Sequence, residues 1–239
     1  MTTTKTRWNV LPFMALADVA LFLKSAKTDK AIGRWRSEVG GRGAFENAYN
    51  NFRDPWASGD PRYRYQDRKY ANLVASLPAG RRFKHVLDLG CGLGMLSTRL
   101  ASHAERVTGV DIAQAAVDQA GAHALGYDNL TFQQADVLDL PASFDGEFDL
   151  VVIADTLYYL PPPITGEVLE GLASRIAKLL VPGGLCLLAD HYFFSFDPAS
   201  RLSRRIHNTF IDNPYFAVSH ESRRPFYLAT CLIRTAAAV

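Results

Sequence analysis

From residue 85 to residue 189 the chain alternates between two hydrophobic rhythms. Short segments at 85–89, 106–111, 130–137, 148–155 and 185–189 read as strands, the apolar run at 85–89 as one covered on both faces and 106–111 as a buried one ending in a carboxylate. Between them apolar residues return every three or four positions, as helices require. Met95, Leu96, Leu100 and Ala101 form one such set, residues 114–124 a second, and Ile164, Val168, Leu169, Leu172, Ile176, Leu179 and Leu180 a third that Pro161–Pro163 should open. Strands separated by helices of this length predict an α/β fold, a doubly wound and mostly parallel sheet. Pro182-Gly183-Gly184 is expected to end the third helix and turn into the fifth strand. A helix over 195–210 and an antiparallel hairpin, 215–219 and 225–234 joined by 220–224, then close one end of the sheet, giving an antiparallel last strand.

Ahead of this core the pattern is helical and weaker. An amphipathic helix is predicted over 11–27, with Phe13, Leu16, Val19, Ala20 and Leu23 on its apolar stripe. Gly33, Gly40, Gly41 and Gly43 punctuate a further helical region running through Trp35, Phe45 and Tyr49. Asp54-Pro55-Trp56 and Gly59-Asp60-Pro61 are turn signals, followed by a basic helix over 63–77 whose Tyr70, Leu73, Val74 and Leu77 should face the core. The expected organisation is a helical extension and cap over 1–82 and a ligand-binding core over 83–239. Lys5 and Arg7 before the apolar run 10–23 imitate a secretory leader, but Pro12 and Asp18 interrupt that run and it is too short to span a bilayer. A core helix, or one lining a homodimer face, is the expectation.

The chemistry gathers where the first strand ends. Val86-Leu87-Asp88-Leu89-Gly90-Cys91-Gly92-Leu93-Gly94 is a strand running into a glycine turn that opens a helix. Its G-x-G-x-G spacing is not the G-x-G-x-x-G that seats a pyrophosphate, and no Lys-Ser/Thr follows, which excludes a P-loop. Asp88 would repel a phosphate and suits a ligand that carries an ammonium group. Asp111, Asp136 and Asp155 also stand at strand ends, where ligands of open parallel sheets bind. Each alone could be a helix cap; four in this order after the glycine turn point to a site.

These residues resemble the class I S-adenosylmethionine-dependent methyltransferases. The resemblance implies that Asp88 and the backbone of Gly90, Cys91 and Gly92 hold the methionine end. It also implies that Asp111 accepts both ribose hydroxyls, Ile112 packs on the adenine, Asp136 and Val137 meet its amino edge, and Ala154 lies near the methionine moiety. Asp54-Pro55-Trp56, the run Tyr65-Gln66-Asp67-Arg68-Lys69-Tyr70, and Asp155-Thr156-Leu157-Tyr158-Tyr159-Leu160 are similar to the nodulation protein S family, whose named member N-methylates a chitooligosaccharide. In that family the D-P-W loop and its helix fold over the cofactor, which implies cofactor contacts for Trp56, Tyr65 and Arg68. Gln66 replaces the family's usual Glu, and Asp155 departs from the strand-four motif while keeping its charge. The likeness covers about residues 54–190. Tyr158 and Tyr159 are candidates for the acceptor wall, and Asp190 and His191 after the fifth strand are candidates for a general base.

Composition narrows the picture further. The net charge of +2 conceals 16 Lys/Arg against 7 Asp/Glu in residues 1–84 and 10 against 17 thereafter. The two parts can pair with each other, or the basic part can meet an acidic substrate or a nucleic acid. Cys91, Cys186 and Cys231 are an odd number without metal-type spacing, as in free thiols of a reducing compartment, and no metal site is expected. Together these features predict a cytoplasmic enzyme that methylates nitrogen or oxygen of a small molecule, an amino-sugar or oligosaccharide or a specialised metabolite. The rivals are an RNA or protein methyltransferase that uses the basic front part, and a non-catalytic cofactor-binding partner subunit. No RNA-binding module or dense Lys/Arg stripe supports the first, and an intact glycine turn with all four aspartates weighs against the second.

Overall fold

The computed structural model describes residues 18–236. Seven strands lie in the order β3-β2-β1-β4-β5-β7-β6. They are β1 (Phe83–Leu89), β2 (Ala104–Asp111), β3 (Leu130–Gln134), β4 (Phe148–Ala154), β5 (Leu180–His191), β6 (Phe216–Arg224) and β7 (Tyr227–Arg234). The helices are α1 (Asp18–Phe52), α2 (Tyr65–Ala75), α3 (Met95–Ala101), α4 (Gln114–His123), α5 (Gly166–Leu179) and α6 (Pro198–Asp212). This is the expected mostly parallel, doubly wound sheet with antiparallel last strands. Among the described residues no helix is long and apolar enough to cross a membrane. The chain divides into two compact units. Among the described residues, one holds 83–89 and 140–236, and the other holds 18–82 and 90–139.

In the first unit β1 runs parallel to β4, with Val86 opposite Leu150 and Leu89 opposite Ile153. β4 runs parallel to β5, and β7 is antiparallel to both β5 and β6. Leu150, Val151, Val152 and Ile153 are all buried, which explains their unbroken apolar run. The stripe of α5 turns Leu169, Leu172, Ile176 and Leu179 inward, and the Thr165 hydroxyl accepts the Val168 N–H as its cap. Pro161–Pro163 therefore precede the helix by several residues. Pro182-Gly183-Gly184 also departs from expectation: α5 ends at Leu179, and the triplet lies within β5. The β4–β5 register shifts there, and the irregularity accommodates a proline and a glycine at φ 75°. Residues 220–224, expected in the connecting loop, belong to β6. That strand lies at the sheet edge, so its polar run Ser219-His220-Glu221-Ser222-Arg223 hides the strand rhythm.

In the second unit α1 is one element kinked at Gly40, whose φ of 76° only glycine adopts without strain. The stripe expected for 11–27 is not its buried face. Val19 and Leu23 are 57% and 65% exposed, and the inward residues are Leu21, Thr28, Ala31 and Ile32. Phe13 and Leu16 lie outside the described residues. The Thr28 hydroxyl donates to the Pro55 carbonyl at 2.7 Å, and the buried Asp18 carboxylate accepts the Arg64 and Tyr65 N–H groups at the start of α2. α2 buries Leu73, as predicted, and leaves Tyr70 and Val74 half-buried.

β2 pairs with β3 so that Gly109 faces Phe132 directly. A Cβ at Gly109 would stand 2.5 Å from the Phe132 ring, and one at Gly94 would stand 2.9 Å from it. The ring thus occupies the space that two glycines leave, one in a strand and one in the glycine turn. Gly109→Ala should lower unfolding free energy in urea by about 1–3 kcal/mol, the usual cost of overpacking. Adding Phe132→Leu should restore part of the loss, and an unchanged midpoint for the single variant would refute this packing.

Candidate active site

The glycine turn is held from behind by one carbonyl. Gly90 and Cys91 both donate their N–H groups to Val110 of β2, at 2.8 and 2.9 Å, and Gly94 N–H closes the turn on Cys91 O at 2.9 Å. Gly90, Gly92 and Gly94 all have left-handed φ values, between 52° and 73°, so side chains there would be strained. Beside the turn, Asp111 Oδ2 accepts the Gly92 N–H at 2.9 Å and Oδ1 accepts the Ala113 N–H at 3.0 Å. Burial pushes the Asp111 carboxyl up to about 6. The hydrogen bonds from Ala113 and Gly92 oppose that rise, and the charge of Glu46 adds to it. Ile112 is half-buried beside it, its carbonyl accepting from Gln134 Nε2 at 3.0 Å. Asp136 and Val137 stand just beyond β3, half-buried, with Asp136 Oδ1 accepting the Leu138 N–H at 2.9 Å.

Three cap residues belong to the same unit. Trp56 is half-buried, donates Nε1–H to Asp29 at 3.3 Å, and sets its ring against Phe45 and Tyr49. Tyr65 is buried with its ring 5.5 Å from Phe22, and Arg68 is half-buried on α2, as is Gln66. Two residues that the sequence did not single out stand at this site. Glu46 of α1 accepts the Ala115 N–H at the start of α4, at 3.2 and 3.3 Å. Tyr49, one turn further along α1, places its hydroxyl 2.9 Å from where a Gly92 Cβ would be. It packs with Leu93, Ala113 and Ala116. Tyrosine at helical spacing reads as core, and only the three-residue step from Glu46 to Tyr49 hinted at a shared face.

The remaining candidates lie in the other unit. Asp88 is buried, and Ala154 ends β4 half-buried, its carbonyl accepting from the Thr156 hydroxyl, which also reaches Leu89 O. Asp155 follows in the left-handed region, at φ 53°, with its N–H on Ala189 O. Tyr158 and Tyr159 sit with ring centroids 4.5 Å apart, and Tyr158 meets His191 edge-on at 4.2 Å. Strand alternation sends Asp190 and His191 to opposite faces. Asp190 is buried with Oδ2 3.2 Å from His207 Nε2 of α6, whose Nδ1 lies 2.7 Å from the Thr230 hydroxyl. His191 is half-buried among aromatic rings. Among the described residues no group of three or more His, Cys, Asp or Glu could hold a metal ion.

Residues 86–184 match the methyltransferase domain family. Among curated proteins, the ubiquinone biosynthesis O-methyltransferase of Psychrobacter arcticus is 30% identical over 168 residues, covering 68% of this chain and 61% of that protein. That of Coxiella burnetii is 36% identical over 102 residues, covering 42% and 41%. The chain thus spans at most 61% of the length of these relatives. Among solved structures, the N-methyltransferase NodS from Bradyrhizobium japonicum WM9, in complex with S-adenosyl-L-homocysteine, superposes with a TM-score of 0.64 at 18% identity. The match covers 79% of this chain and 98% of that one. An S-adenosylmethionine-dependent methyltransferase from Mesorhizobium loti gives 0.54 at 20% identity, covering 70% and 97%. The fold is the Rossmann-like fold of the class I methyltransferases, and residues 86–184 are similar to a methyltransferase domain.

The raised Asp111 pKa has a direct consequence for stability. The unfolded carboxyl loses its proton near its ordinary value, while the folded one keeps it up to about 6. This contribution is therefore most favourable below pH 4 and is lost as pH rises from about 4 to 6, at roughly 1.4 kcal/mol per pH unit. Urea unfolding of the wild type and Asp111→Asn across that window should diverge with this slope, the wild type losing ground as pH rises. Parallel profiles would show that the carboxyl titrates normally.

Proposed function

We propose that the chain transfers a methyl group from S-adenosylmethionine to nitrogen or oxygen of a small molecule, an amino-sugar, oligosaccharide or specialised metabolite. The observation that carries this reading is the Asp111 carboxylate beside a Cβ-free turn whose N–H groups are tied back to Val110 and Asp111. Such a cradle offers negative charge and backbone to a ligand with hydroxyl and ammonium donors and no phosphate. Asp88 and the Gly90–Cys91–Gly92 backbone hold the methionine end, with Ala154 near it. Asp111 takes the ribose, Ile112 the adenine face, and Asp136 with Val137 its amino edge, while Trp56, Tyr65 and Arg68 exclude water. When bound, the cofactor supplies an electrophilic methyl group on a sulfonium that departs as a neutral thioether.

On the acceptor side the protein's task is mainly placement, which supplies much of the rate in such displacements. Tyr158, Tyr159 and His191 form an aromatic wall with polar tips that suits a sugar or a ring-bearing amine. An amine needs only its lone pair, whereas a hydroxyl needs its proton removed, and His191 is the better placed to take it because Asp190 is buried against His207. The names of the similar proteins include both an N- and an O-methyltransferase.

Two measurements test the reading. Asp111→Ala should weaken S-adenosyl-L-homocysteine binding about 10- to 150-fold in a calorimetric titration, the worth of a charged hydrogen bond. Unchanged affinity would remove Asp111 from the site. With the methyl acceptor in hand, His191→Ala should lower kcat less than about tenfold, as expected for an amine. A loss near a thousandfold with intact cofactor affinity would overturn the amine reading in favour of a hydroxyl acceptor.

A further inference from the structure

α6 turns Ser200, Ser203, Ile206, His207 and Phe210 inward and leaves a polar face outward. After residue 84 the chain has 10 Lys/Arg, and three of them, Arg201, Arg204 and Arg205, stand on that face within little more than one helical turn. They line a cavity of about 630 Å³ between α5 and α6, together with Glu170 and Ser174 of α5 and Asn208 and Asp212 of α6. Asn213 fastens α6 to α5 there, its Nδ2 donating to the Ser174 hydroxyl at 3.3 Å. The size is that of a small-molecule pocket, and the lining is polar throughout.

The cations of this cavity are only partly answered. Arg204 pairs with Glu221 of β6 at 2.8 Å, and Arg205 donates to the Ile164 carbonyl ahead of α5. Among the described residues no carboxylate pairs with Arg201 or Arg205, although Glu170 and Asp212 line the same cavity. Arg201 and Arg205 stand four residues apart, and like charges at that spacing cost a helix stability. A bound anion removes that cost, and the planar guanidinium fork matches the oxygens of a phosphate. A single phosphate would not fill the cavity. Its remaining groups, the Ser174 hydroxyl, the Asn208 amide and the two carboxylates, are hydrogen-bonding partners for hydroxyl groups.

We propose that this cavity binds the phosphate ester of a small polyhydroxy compound, a sugar phosphate. Arg201 and Arg205 take the phosphate, and Glu170 and Asp212 accept from the hydroxyls. Tyr158, Tyr159 and His191 do not line it, so this second site stands independently of the methyl-transfer reading.

Calorimetric titration of the full chain with glucose 6-phosphate, inorganic phosphate and glucose, at matched ionic strength, tests the proposal. The wild type should bind glucose 6-phosphate, bind inorganic phosphate about tenfold more weakly, and leave glucose unbound. Both arginines are exposed, so Arg201→Gln/Arg205→Gln should keep the fold while lowering glucose 6-phosphate affinity at least about tenfold, the worth of a charged hydrogen bond. Glu170→Gln should weaken glucose 6-phosphate about 3- to 10-fold and leave inorganic phosphate level or tighter. That opposite response separates a carboxylate that holds a hydroxyl from general attraction to a basic surface. A wild type that binds no glucose 6-phosphate, or binds it no better than inorganic phosphate, would overturn the proposal. Equal glucose 6-phosphate affinity in the wild type and the double variant would do the same, as would a Glu170→Gln variant that binds glucose 6-phosphate as tightly as the wild type.

Discussion

Two successive residues of β2 hold the site in shape: the Val110 carbonyl takes two N–H groups of the glycine turn, and the Asp111 carboxylate takes a third. A turn with three left-handed residues has little stability of its own, because glycine loses much conformational freedom on ordering. Tying it to the end of a buried strand supplies that order. The Phe132 ring then fills the space over Gly109 and beneath Gly94, so the turn is fixed by hydrogen bonds on one side and by packing on the other. The carboxylate that binds the turn also binds the Ala113 N–H, so the turn and the entry to α4 are set by one side chain.

The alternation of buried strands and amphipathic helices was legible because β1, β4 and β5 are covered on both faces, where the apolar rhythm is unmixed. It faded where a face meets water. The edge strand β6 carries charge along its length, and Pro182-Gly183-Gly184 has the composition of a turn while lying in an irregular strand. On α1 the exposed Val19 and Leu23 imitated a core stripe. The same limits applied to the site. Asp88, Asp111, Asp136 and Asp155 do lie at or just past strand ends, as the sequence suggested. The approach of Tyr49 to the glycine turn was not legible, since only the folded chain brings α1 to a turn some forty residues further on. The adjacency of Asp190 and His191 suggested a shared role, and strand alternation separated them.

His191, Tyr158 and Phe193 make ring contacts above β5, and the loop that follows is pinned by the Ser200 hydroxyl on Phe193 N–H and by Arg223 on Phe193 O. Asp190 is buried beneath with Oδ2 3.2 Å from His207 of α6, and His207 in turn reaches the Thr230 hydroxyl of β7. The rings thus stand beside backbone that is hydrogen-bonded on both its N–H and its carbonyl at Phe193.

Glu46 gives the N-terminal helix a significance beyond capping α4. Its carboxylate takes the Ala115 N–H at a helix start, the feature that elsewhere attracts anions, and its charge helps raise the Asp111 pKa. Cells hold far more adenosine in phosphorylated coenzymes and nucleotides than in sulfonium form. With the proposed ligand bound, two carboxylates around the end of β2 would disfavour a phosphate on or near the ribose and leave acceptors for a plain one. The abundant adenylates would then meet an electrostatic barrier before shape is tested.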